Sequence, residues 1–137
     1  MINYDKFRLS LKRLEEQHAN LQRGNPAWSE LDREGITESV IQRFETCYDC
    51  LWKVLRRYMN EDLGLPDVPS SPNPIFKIAY KNNLLQQLEP WLRYVDARIG
   101  TSHDYDGKKA IACLELIPEF IDDAIGLYQT MTNETWE

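Results

Sequence analysis

The sequence predicts an all-α fold, an antiparallel up-and-down bundle of four to five helices. Three observations lead there. Apolar residues recur at spacings of three and four over long stretches, the pattern of a helix with one buried face. Prolines and glycines collect mainly between those stretches, and no stretch shows the period of two that marks a half-buried strand. With 137 residues, 42% of them hydrophobic and 28% charged, the chain reads as one domain, residues 1–137, able to bury a core without staples.

The first helix carries Tyr4, Phe7, Leu11, Leu14, His18 and Leu21 on one stripe and ends at Gly24-Asn25-Pro26. His18 has no second ligand one turn away, so it reads as a packed seam residue. The second helix spans about 36–60, with a possible extra turn begun by Ser29; Val40, Phe44, Cys47, Leu51 and Tyr58 form its stripe. Glu45, Asp49 and Lys53 stack at i, i+4 and i+8 on its flank and read as a solvated charged edge. Residues 61–74 hold four of the seven prolines and read as a loop. A short helix is expected at about 74–85 and another at about 89–100, with Trp91, Leu92, Val95 and Ile99 inward and Gly100 ending it. The last helix is expected to start near Gly107 with Asp106 as its N-cap. Ile111, Leu114, Ile121, Ile125 and Tyr128 form its stripe, and Pro118 is expected to kink it.

Net charge is −6, which argues against a protein that coats DNA through bulk electrostatics. Charge is unevenly spread. Residues 110–137 contain six acids and no base, whereas residues 77–109 carry six bases against four acids. Cys47 and Cys50 resemble half of a zinc site, but no second Cys/His pair completes it, so no metal or cofactor is expected. No apolar run approaches the ~20 residues of a membrane span, and the expectation is a cytoplasmic protein with reduced thiols.

The basic third contains "RIGTSHDYDGKK", residues 98–109. Arg98 stands in the last turn of its helix, where the helix dipole favours a cation. Its guanidinium matches phosphate oxygens, and His103, five residues on, titrates near neutrality. Such a pair suffices in principle for metal-free RNA cleavage. A base takes the ribose 2′-OH proton as that oxygen attacks phosphorus, the arginine offsets charge on the phosphorane, and an acid protonates the leaving 5′-oxygen. A two-fold dimer would supply acid and base from two copies of His103. By spacing alone the segment fits a helix-capping surface loop better than a catalytic site.

The segment "ARIGTSHDYDGKKA" resembles the R-x4-H-x-Y motif of HEPN domains, specifically the HepT-like branch also described as nucleotidyltransferase substrate-binding proteins. Arg98 matches the arginine, His103 the histidine and Tyr105 the tyrosine. Gln42-Arg43-Phe44-Glu45, Trp52-Lys53 and Pro90-Trp91 are similar to further pieces of that family. The resemblance implies an all-α homodimer working with a cognate minimal nucleotidyltransferase. In toxin–antitoxin members the HEPN subunit is a ribonuclease, with Arg98 and His103 matching the catalytic pair. The partner neutralises it by transferring AMP to the motif tyrosine, here Tyr105. Thr101, Ser102, Asp104 and Lys108 are supporting candidates around that set. The pattern departs at Ile99, where active members often carry a polar residue; an isoleucine cannot hydrogen-bond a substrate. That departure keeps open a second reading, a non-catalytic nucleotide- or substrate-binding and docking subunit.

Overall fold

The computed structural model describes residues 1–103 and 107–137, with Ser102 and His103 described by their backbone alone. Among the described residues every regular element is helical: α1 (Asp5–Arg23), α2 (Glu30–Arg57), α3 (Pro72–Lys81), α4 (Glu89–His103) and α5 (Lys108–Thr132). None of these helices is long and apolar enough to cross a membrane.

Ser29 sets the start of α2. Its hydroxyl accepts from the Asp32 amide while the Asp32 carboxylate accepts from the Ser29 amide, so two otherwise unpaired donors are satisfied at 3.0 Å each. The extra turn is therefore part of the helix. At the other end α2 widens into a π-helical turn, Tyr58–Asp62, in which the Leu63 amide donates to the Tyr58 carbonyl. The loop beyond it is tied back by Arg56, whose Nε donates to the Pro69 carbonyl. α3 begins at Pro72, two residues earlier than the spacing suggests, and stops at Lys81. Asn83 then turns the chain in a left-handed conformation (φ 62°).

α1 runs antiparallel to α2: Arg43 reaches the Arg13 carbonyl and Gln17 reaches Ser39. Phe7, Leu11, Leu14 and Leu21 are buried as their stripe requires, and His18 is half-buried with its ring beside Gln22. Burial lowers the His18 pKa. After α5, Asn133 (φ 58°) reverses the chain so that Trp136 packs on Tyr128 and donates to Glu15, with Lys12 over its ring. The centre of the bundle is an aromatic layer. Phe120 meets Phe44 edge-on at 4.9 Å and Tyr94 at 5.1 Å, while Trp91 stacks on Phe76 at 5.1 Å.

Three expectations are corrected here. α4 does not end at Gly100; it continues to His103. Its inward face is Trp91, Tyr94 and Val95, whereas Ile99 is 55% exposed. In α5 the buried face is Ala110, Cys113, Ile117, Phe120, Ile121, Ala124, Leu127, Tyr128 and Met131, so Ile111, 57% exposed, lies off it. Small residues occupy part of the seam in place of the large aliphatics that the spacing suggests. The helix runs through Pro118, which sits on its exposed side. The Cys47 and Cys113 thiols are buried and pushed up in pKa by that burial, as core residues.

Urea denaturation should separate the two faces of α5. Phe120→Ala should cost about 3–5 kcal/mol, and Ile111→Ala less than ~0.5 kcal/mol; comparable losses would mean that the helix is rotated.

Candidate functional site

Arg98 lies on the inner flank of α4, one turn after Tyr94, and reaches α2. Its Nη1 donates to Glu45 Oε2 at 2.9 Å and its Nη2 to Asp49 Oδ2 at 3.2 Å, with Nε 3.4 Å from Asp49 Oδ1. Burial opposes the guanidinium charge, but the hydrogen bonds and charges of Asp49 and the charge of Glu45 outweigh it and raise the Arg98 pKa. Thr101, 1% exposed, belongs to the same cluster. Its hydroxyl lies 3.0 Å from Glu45 Oε2 and 3.1 Å from the Arg98 carbonyl, one proton serving both acceptors.

Glu45, with 16% of its side chain exposed, is therefore not part of a solvated charged edge, whereas Asp49 pairs with Arg98 while keeping 39% exposure. Two carboxylates one turn apart on a helix repel each other, and here a cation from another helix lies between them. Lys53 lies on the exposed surface, near the Trp52 ring. The signal in the sequence is their position: both flank the apolar stripe of α2, beside Phe44 and Tyr48, where uncompensated acids are costly.

α4 continues through Gly100 because the register that places Thr101 on Glu45 is helical. A side chain at Gly100 would meet the Lys109 side chain first, at 3.5 Å, so the first turn of α5 packs against the last turn of α4. The helical register sets Arg98 and His103 about 7.5 Å apart along the axis and about 140° around it. Lys108 opens α5 and is exposed. Asp104, Tyr105 and Asp106 lie outside the described residues, as do the side chains of Ser102 and His103. The expected N-cap and modification site fall among them. Gly107 occupies the position before α5 with φ 89°, a conformation that favours glycine.

A family model described as "Nucleotidyltransferase substrate binding protein like" matches residues 2–133. The chain belongs to that family. Within the nucleotidyltransferase substrate binding protein-like family it is similar to "Probable ribonuclease HepT" from Haemophilus influenzae, 27% identical over 101 residues, covering 72% of this chain and 69% of the relative. HI0074 from Haemophilus influenzae, described as having the fold of a substrate binding domain of a nucleotidyltransferase, superposes with a TM-score of 0.84. That match covers 94% of this chain and 98% of the other at 23% identity, a likeness of fold. A crystal structure from Thermus thermophilus matches with a TM-score of 0.67 at 25% identity, over 87% of this chain and 98% of that one. The HepT-like resemblance and the all-helical bundle are thus both established for this member of the family.

A double-mutant cycle with Glu45→Gln and Arg98→Met, followed by urea denaturation, should give a coupling energy of about 1–3 kcal/mol, larger than for the exposed Arg57–Glu61 pair. A coupling near zero would remove Arg98 from this cluster in solution.

Proposed function

We propose that this protein is the HepT-like subunit of a two-component system with a minimal nucleotidyltransferase, and that its own activity is metal-independent cleavage of RNA. The observation that carries the reading is the Arg98–x4–His103 pair at the end of α4, with Arg98 held in place by Glu45 and Asp49. A guanidinium fixed before substrate arrives loses little freedom on meeting a phosphorane, which is where preorganised charge is most effective. The name of the Haemophilus influenzae relative supports the ribonuclease, and the description of HI0074 supports the nucleotidyltransferase partner.

In this reading His103 takes the 2′-OH proton as the 2′-oxygen attacks phosphorus, and the leaving 5′-oxygen is protonated by His103 of a second copy. The exposed Ile99 supports such a homodimer. It lies in an open groove of about 610 Å³ between α4 and α5, where Ile99, Ala97, Ala112 and Leu116 form an apolar strip among Arg93, Asp96, Lys109, Glu115 and Glu119, a surface a second copy would cover. Neutralisation follows from chemistry at Tyr105: its phenol oxygen attacks the α-phosphorus of ATP, pyrophosphate leaves and the proton passes to solvent. The added phosphate would bring negative charge beside the histidine.

The purified protein should cleave tRNA or mRNA in EDTA, and His103→Ala should slow cleavage by about 10²-fold or more. Absence of cleavage, or cleavage that survives the substitution, would sink the ribonuclease. With the cognate nucleotidyltransferase and ATP, mass spectrometry should find AMP on Tyr105, and Tyr105→Phe should remain unmodified; a parent protein without the adduct removes the off-switch.

One feature favours the second reading, a non-catalytic docking subunit: the motif arginine faces carboxylates, and the residue after it is an isoleucine. That version predicts a stable complex with the nucleotidyltransferase and unimpaired growth on overexpression. Growth arrest dependent on Arg98 and His103 counts against it.

A further inference from the structure

α1 and α2 leave a long shallow groove between them. Two contiguous hollows of about 390 and 370 Å³ make it, sharing Lys6, Thr46 and Cys50. Its charged lining is Lys6 and Arg13 from α1, and Arg43, Lys53, Arg57 and Asp49 from α2. Five cations against one carboxylate is a pronounced local excess in a chain of net charge −6.

These cations are arranged in a line. Arg43 and Arg57 are fourteen residues apart on one helix, about 21 Å, and the antiparallel α1 places Lys6 between them. Arg57 is offset by Glu61 at 2.7 Å, but among the described residues Lys6, Arg13, Arg43 and Lys53 take no ion pair. Arg43 is instead fixed at the rim by donating to the Arg13 carbonyl at 2.9 Å. The one acid, Asp49, is the carboxylate that also holds Arg98 at 3.2 Å. Asp49 is thus shared between the groove lining and the motif arginine.

We infer that this groove is a phosphate track, which holds the backbone of a single-stranded RNA and leads it toward Arg98. A row of cations spaced along a helix follows a polyanion, and such contacts are independent of base sequence. An acidic protein fits less well, because a stable protein interface needs an apolar centre. The groove presents only one large exposed apolar side chain, Leu9. The inference rests on RNA being the substrate and names the surface that binds it.

The test uses the full-length protein and a fluorescein-labelled 2′-O-methyl oligouridine of about 20 nucleotides, which lacks the attacking hydroxyl and so reports binding without cleavage. Anisotropy is followed across a KCl series. Lys6→Glu combined with Lys53→Glu should weaken binding tenfold or more and flatten the salt slope by about 1.4, roughly 0.7 for each phosphate no longer neutralised. Both lysines are exposed, and the Lys6→Gln and Lys53→Gln pair, checked by thermal melts, guards against misfolding. Lys77→Glu with Lys81→Glu on α3 makes the same charge change outside the groove and should leave binding within about twofold. No binding by the parent, or an equal loss in the α3 control, overturns the track. So does a groove variant that keeps RNA and loses the nucleotidyltransferase. If the oligonucleotide follows the groove charges while natural RNA is never cleaved, the track stands and the ribonuclease falls.

Discussion

The end of α4 is held by a guanidinium between two carboxylates. Glu45 and Asp49 stand one turn apart on α2, each flanking the buried stripe, and neither is comfortable there alone. Arg98 resolves the repulsion, and Thr101 adds its hydroxyl to the same Glu45 oxygen. Because Arg98 and Thr101 are three residues apart, this grip fixes the rotation of α4 about its axis as well as its distance from α2. The backbone position of His103 follows from that rotation.

The aromatic layer makes the grip consistent with the core. Tyr94 precedes Arg98 by one turn and packs edge-on against Phe120. Its hydroxyl donates to Asp123 and lies near Glu119, the same carboxylate that pairs with Arg93. Burial and those carboxylates push the Tyr94 phenol upward in pKa, so it stays a neutral donor across ordinary pH. One face of α4 thus meets an aromatic ring, a carboxylate from α5 and two carboxylates from α2 in succession. Ile99 lies beside that face, exposed in the groove toward α5, which turns the apparent defect in the motif into a surface feature.

Much of this architecture is legible in the sequence. The stripe of α1 is strict, and four of its apolar positions are buried; Ser29 and the prolines of residues 61–74 mark real boundaries. The stripe of α5 misleads because that helix is apolar on more than one side, and the seam uses Ala110, Cys113 and Ala124 where a reader looks for large aliphatics. Gly100 suggests a stop, since glycine costs a helix about 1 kcal/mol relative to alanine. The buried Thr101 contacts one residue later outweigh that preference. The pairing of Arg98 with Glu45 spans 53 residues, and no local spacing rule can see a partner that far away. The motif marks Arg98 as a site residue, but its carboxylate partners come only from the fold. His103 keeps only its helical position, and Tyr105 lies outside the described residues.

The charges around Arg98 bear on what the site can accept. One guanidinium between two carboxylates makes a cluster that is net negative when all three are ionised, so it is a poor phosphate receptor in isolation. A phosphodiester approaching it gains only if other cations accompany the encounter. A row of them lies along α1 and α2 and meets the cluster at Asp49. Carboxylates that hold the arginine also keep stray anions off it, while a polyanion engaged by several cations at once can overcome the same repulsion. An acidic chain can in this way discriminate between a single phosphate and a strand, because the repulsion is local and the attraction is summed along a line.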